Sequence, residues 1–247
     1  MAIYSSFAQV YDALFDKEQY RRWADYAVSR ILNRRPAVLD LAGGAGRLAV
    51  LLAQRGMVMT NLDQSEEMLA LASEHAGAAG VDVRLIAADM RQLAGLPKYD
   101  AVTCFADSLN YLPQPEDVQQ TLEQVFRHIK DGGVFLFDAI TLYQCDVVYP
   151  GYMYNYQDED AGWAFMWSSY ANDDVNHGVI HDLAIFQQQD DGSYQRFAET
   201  HFERAYSLAW WRQSLLAAGF KDVQVSADFG QKAPDDKTRR YFFECHK

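Results

Sequence analysis

The sequence predicts an α/β chain. It reads as a doubly wound, mostly parallel seven-stranded sheet with an antiparallel C-terminal hairpin, plus an inserted antiparallel β meander. Three observations carry this. Strand-length apolar runs and helical stretches alternate five times between residues 37 and 140, the pattern of a parallel sheet covered on both faces. The first run ends in a glycine-rich turn, Asp40-Leu-Ala-Gly-Gly-Ala-Gly46, that leads straight into a helix. Between residues 152 and 206 the helical period disappears.

Each element follows from local pattern. Tyr4, Phe7, Tyr11, Leu14 and Phe15 recur at helical spacing, and Tyr20, Trp23, Tyr26, Ala27 and Ile31 form a second stripe. Pro36 stops that region, and 37–42 is the first strand. A helix over 46–55 ends at Gly56. Residues 57–63 form the second strand, and Ser65 caps a helix with acids in its first turn. The third strand spans 81–88 and the fourth 99–105. Pro115 opens a helix running to Lys130, stopped by Asp131-Gly-Gly133, and 134–140 is the fifth strand. In the insert, 164–170, 178–187 and 193–206 read as three strands, with Asn172-Asp-Asp174 and Asp190-Asp-Gly192 as the turns. Ser207 and Gly219 bracket a last helix. The strands over 223–229 and 239–245 follow with no helix between them, hence a late hairpin. The expected organisation is a Rossmann-like unit over 1–140 and 207–247. Within it 1–35 forms a helical lid, and 141–206 covers the active site.

The turn is read from its chemistry. Glycines 43, 44 and 46 allow positive φ and close approach of a ligand, and the helix N-terminus points unpaired N–H groups at it. Gly44-Ala-Gly46-Arg-Leu-Ala49 fits a dinucleotide fingerprint. Asp40, however, disfavours a pyrophosphate and suits a ligand with a cation or hydroxyl donors. Asp63 ends the second strand, where it can accept two ribose hydroxyls. Asp89 follows the third strand, where it can accept from an adenine amino group.

Together these residues resemble the class I S-adenosylmethionine-dependent methyltransferases. The motif is Asp40-Leu-Ala42-Gly43-Gly44-Ala45-Gly46, with Ala42 where the family carries its first glycine. The resemblance implies S-adenosyl-L-methionine as cofactor, with S-adenosyl-L-homocysteine as product. It implies a cofactor site of Tyr4, Asp40, Ala42, Gly43, Gly44, Gly46, Asp63, Gln64, Met68, Asp89, Met90 and Phe105. The loop Asp107-Ser-Leu-Asn110-Tyr111 is similar to that of members acting on small molecules, and it makes Asp107 and Asn110 catalytic candidates; Tyr11, an aromatic of the N-terminal stripe, is a third. The insert is similar to the lid of aminosugar N-methyltransferases and of YqeM-type bacterial methyltransferases. Tyr4, Phe7, Tyr11, Tyr111, Trp163 and Trp167 supply aromatic faces for a sulfonium or ammonium.

Composition narrows the partners. A net charge of −12 argues against general nucleic-acid binding and suits a cationic small molecule. Three scattered cysteines suggest a reducing cytoplasm and no metal-ligand spacing. No signal peptide and no membrane span are expected. Glu199, His201 and Glu203 share one face of their strand by period two, and that face reads as solvated. The expected function is methyl transfer to a small molecule by in-line displacement, in a monomer or homodimer. An RNA or protein methyltransferase, or a dinucleotide oxidoreductase, is the alternative.

Overall fold

The structure, a computed structural model, describes residues 17–32, 34–158 and 162–247. The expected roles of Tyr4, Phe7 and Tyr11 lie outside the described residues. The chain opens on α1 (Lys17–Val28), whose Trp23, Tyr26 and Ala27 are buried as the second aromatic stripe predicts. Then come β1 (Ala37–Leu41), α2 (Arg47–Gln54), β2 (Val58–Asp63), α3 (Glu66–Ala79), β3 (Val83–Ala87) and β4 (Tyr99–Cys104). A short helical turn, Ser108–Tyr111, precedes α4 (Pro115–His128) and β5 (Ile129–Ile140). The insert contains β6 (Met153–Asp158), β7 (Trp163–Asn172), β8 (Gly178–Gln188) and β9 (Tyr194–Arg204). The chain closes with α5 (Leu208–Ala218), β10 (Asp222–Ser226) and β11 (Arg240–His246).

Seven strands form the main sheet in the order β10-β11-β5-β4-β1-β2-β3. Strands β1 to β5 run parallel, and β11 pairs antiparallel with both β5 and β10. Strand alternation divides the core. Val134 and Leu136 of β5 face α1 and α2 with Trp23, Ala27, Leu48 and Leu52. Phe135 and Phe137 face α4 and α5 with Leu122, Val125, Trp211 and Leu215. The rings of Phe137 and Phe243 stack across β5 and β11 with centroids 4.3 Å apart and planes parallel, so the late hairpin is part of this core.

Two boundaries differ from the sequence reading. Helix α4 stops at His128, because Ile129 already pairs with Tyr99 and Gly132 turns the chain at φ +76°. The meander has four strands, in the order β6-β7-β8-β9. The unpredicted one, β6, is an exposed edge strand. Its tyrosines alternate with Asn155 and Gln157, and Met153 to Gln157 are all exposed, so it has little hydrophobic signature.

One buried polar cluster binds these parts at the carboxyl edge of the sheet. Trp23 Nε1–H donates to Asp138 Oδ2 at 2.8 Å. Asp138 Oδ1 accepts from the Asp107 backbone N–H at 2.8 Å and from Arg240 at 2.9 Å. Arg240 also pairs with Asp107 Oδ2 at 2.9 Å. Asn110 adds a second tie, accepting the Ile140 N–H at 3.1 Å and donating to the Arg204 carbonyl at 2.7 Å. It thereby fixes the end of β9 to the end of β5. Replacing Arg240 with methionine strands two carboxylates. Since Arg240 is a quarter exposed, the loss should sit at the low end for a broken buried pair, about 3 kcal/mol. Urea unfolding measures it, and a cost below about 1 kcal/mol would show that the cluster does not hold this edge.

Candidate functional site

A cavity of about 520 Å³ opens at the carboxyl ends of β1 to β4 and passes beneath the insert. Ligand sites of parallel sheets lie at this edge, and the volume suits a nucleoside-sized ligand with a further small compound. The glycine turn forms one wall. Ala42, Gly44 and Gly46 all take left-handed backbone, at φ +53°, +51° and +69°. Ala42 holds that conformation despite its Cβ, at a cost of about 1 kcal/mol. A Cβ on Gly43 would overlap Asn61 Oδ1 and lie 2.7 Å from Asp40 Oδ2. The bare backbone at 43 is what leaves that carboxylate reachable.

Asp40, at the end of β1, is 2% exposed. Its Oδ1 accepts from Thr103 Oγ1 at 2.7 Å, and its Oδ2 has no partner among the described residues. Burial pushes its pKa up to about 7; the Thr103 bond opposes this and the Asp63 charge adds to it. A buried carboxylate oxygen with no donor is costly unless a ligand supplies one. An ammonium or a hydroxyl satisfies it, whereas a pyrophosphate would add repulsion. The wall therefore fits S-adenosylmethionine, with its amino-acid end, better than a dinucleotide.

Asp63 ends β2 beside the turn. Its Oδ2 accepts from Gly44 N–H at 2.8 Å and its Oδ1 from Ser65 N–H at 2.9 Å. Helix α3 is capped by Ser65, whose Oγ accepts from Met68 N–H at 3.2 Å. Each Asp63 oxygen keeps a further lone pair for a ligand diol. Burial raises its pKa against these backbone bonds. Asp89 also lines the cavity, but Arg91 grips it with contacts of 2.6 to 3.0 Å and holds its pKa down. Arg91 is shared with Asp117 at 2.9 Å. Gln64, Met68, Ala88 and Met90 complete this end. Phe105 lines the cavity and stacks on Trp23, with centroids 6.0 Å apart.

The loop after β4 meets the cavity through Ala106, Ser108 and Tyr111. Asp107 and Asn110 point the other way, into the Arg240 cluster and the tie to Arg204. Ala106 and Asp107 are both left-handed, at φ +57° and +52°. The bonds from Asp138 and Arg240 hold this strained pair.

Two wall residues come from the insert, Glu199 and His201. His201 Nε2 lies 2.9 Å from Glu199 Oε2, and its ring meets Tyr111 edge-on at 5.8 Å. Glu203, on the same strand face, is 5% exposed and lies 3.4 Å from the buried His181. The expected solvated face is thus graded: Glu199 is exposed, His201 half-buried and Glu203 buried. Period two grouped these residues, but which way the insert docks was not in the pattern.

The chain matches the family described as methyltransferase domain over residues 38–133. It is 35% identical over 246 residues to the YqeM protein of Bacillus subtilis, which bears a methyltransferase name, covering 99% of this chain and 97% of that one. It superposes on a solved S-adenosylmethionine-dependent methyltransferase of Clostridium acetobutylicum with a TM-score of 0.84 and 29% identity, over 98% of each chain. The amino pentose methyltransferase CalS10 of Micromonospora echinaspora shares the fold, with a TM-score of 0.76 and 19% identity over 96% and 97% of the two chains.

Two outcomes test the donor end. An ammonium pairs with Asp40 only once that carboxyl has lost its proton, so S-adenosylhomocysteine should bind more tightly as pH rises through about 7. Below that midpoint affinity should fall by up to about tenfold per pH unit. 5′-Methylthioadenosine, lacking the amino-acid end, should show no such slope in calorimetric titration. Asp63→Ala removes both diol acceptors and should weaken S-adenosylhomocysteine by about 100-fold; an unchanged Kd would remove Asp63 from the site.

Proposed function

The chain belongs to the class I S-adenosylmethionine-dependent methyltransferases, and we propose that its methyl acceptor is a small molecule held beneath the four-stranded insert. The observation that carries this is the shape of the cavity. It runs from the glycine turn to a far wall of Tyr111, Glu199 and His201, the last two from the insert. Its charges point the same way. Asp40, Asp63, Glu67, Asp89 and Glu199 line it, and the lining arginine, Arg91, is paired with Asp89 and Asp117. Such a wall repels a phosphodiester and accepts a neutral or cationic compound. The resemblance in fold to an amino pentose methyltransferase supports the same class of acceptor.

When bound, the cofactor supplies an electrophilic methyl group whose leaving sulfur departs neutral. The chain's own residues then have three tasks. Asp40 meets the amino-acid end through its unpartnered oxygen, and Asp63 takes the ribose hydroxyls. Gln64, Met68 and Met90 flank the adenine, with Asp89 at its amino edge. Asp107 and Asn110 act at a distance, holding Ser108 and Tyr111 where the acceptor must lie. Positioning of this kind supplies most of the rate of a two-substrate displacement, about 7–11 kcal/mol where alignment is good. In this reading the described residues up to 140 and 207–247 form the donor-binding unit, with 141–206 as its roof. No helix among the described residues is long and apolar enough to cross a membrane. The three buried, unbridged cysteines suit a reducing cytoplasm.

The test is methyl labelling. Purified protein with methyl-labelled S-adenosylmethionine should label a small-molecule fraction of a cell extract, and Asp63→Ala should abolish the label. Label in RNA or protein instead would overturn the acceptor reading.

A further inference from the structure

We propose that Arg91 sets the base specificity of the donor site, by fixing the Asp89 carboxylate as a single acceptor for the exocyclic amino group of adenine. A purine with an oxygen at that position is then refused. Arg91 acts through Asp89, so it is a positioning residue. The proposal rests on the reading that Asp89 stands at the amino edge of the adenine.

Three observations support it. First, Asp89 and Arg91 both line the cavity, at the end that holds Gln64, Met68 and Met90. Second, Arg91 closes on Asp89 from its main chain and its side chain together. Its backbone N–H donates to Oδ1 at 2.8 Å. Its Nε–H lies 3.0 Å from each carboxylate oxygen, and one terminal nitrogen donates to Oδ2 at 2.6 Å. Third, the arginine is itself anchored. Its other terminal nitrogen donates to Asp117 Oδ1 at 2.9 Å, and its carbonyl accepts from Gln120 Nε2 at 2.9 Å. Both anchors stand on α4, which thereby holds the guanidinium fork against Asp89.

The count of acceptor sites gives the consequence. A carboxylate offers about four lone-pair sites. Three N–H groups of Arg91 draw on them, with Nε–H shared between the two oxygens. About one site is left, on a side chain that keeps 28% of its surface exposed. One remaining site matches one N–H of an amine.

The charge state follows from the same contacts. The Arg91 hydrogen bonds hold the Asp89 carboxyl below the usual carboxylate range, against a smaller upward push from burial. The group therefore has no proton to give. Adenine presents an amino group at C6 and is accepted. Hypoxanthine presents an oxygen there, which would face a carboxylate oxygen with no hydrogen between them. Without the fork, the carboxylate is free to turn toward the N1–H that hypoxanthine also carries.

Calorimetric titration of the full chain with S-adenosylhomocysteine and S-inosylhomocysteine tests this. The two ligands differ only in the amino or oxo group at C6 and the hydrogen at N1. The unaltered protein should prefer the adenosyl ligand by about 30-fold or more. Arg91→Met should cut that preference by about tenfold. Arg91→Lys keeps a charge but not the planar fork, and it should cut the preference as well. The lysine variant carries the test if the methionine variant does not fold. A merely structural role for Arg91 would weaken both ligands by the same factor. A preference that stays within about threefold of the unaltered protein's in a folded variant therefore overturns the proposal. Equal binding of the two ligands by the unaltered protein would instead remove the adenine from Asp89, and the proposal with it.

Discussion

The fold depends at its functional edge on Arg240 and the two aspartates it joins. Asp138 lies fully buried on β5, Asp107 lies in the loop after β4, and Arg240 begins the last strand. Trp23 of α1 donates to the same Asp138. Four separate stretches of chain thus converge on one small charge cluster. Burial raises the pKa of Asp138, and the Arg240 guanidinium counters it. Such clusters are costly to form and costlier to break. What this one secures is the left-handed Ala106–Asp107 pair, hence the placement of Ser108 and Tyr111 in the cavity wall. The late hairpin is therefore more than a way to finish the sheet.

The donor end works by leaving a cost unpaid until a ligand arrives. Asp40 keeps a buried oxygen without a donor among the described residues, at a cost in stability that a ligand can offset. Its place at the end of β1, reached past a glycine that cannot carry a Cβ, fits a site in which stability is exchanged for recognition. Ala42 repeats the theme at a smaller scale, with a side chain kept where glycine would relax the turn.

Much of this was legible in the sequence because the signals were local. The glycine turn, the acids at strand ends and the Ser65 and Ser207 caps each need only a few neighbouring residues, and the structure forms both caps. Asp107 and Asn110 could be picked out by type, but not their partners. Arg240 lies 133 positions from Asp107, and the Arg204 carbonyl lies 94 from Asn110. The inward face of β9 was hidden for a related reason. Alternation groups Glu199, His201 and Glu203, but only docking of the insert decides which face meets water.

The edge strand β6 has a consequence for the molecule in a crowded solution. Among the described residues it pairs only with β7, and Met153, Tyr154 and Tyr156 stand exposed along it. An open edge of this kind is a template for pairing with another copy, and Asp158 is the single charged residue the strand itself offers as a guard. The remaining protection comes from the molecule as a whole. A net charge of −12 keeps copies apart, and that repulsion fades as the medium approaches the isoelectric point near 4.8. The acidic surplus that suits the chain to a cationic ligand is also its colloidal defence.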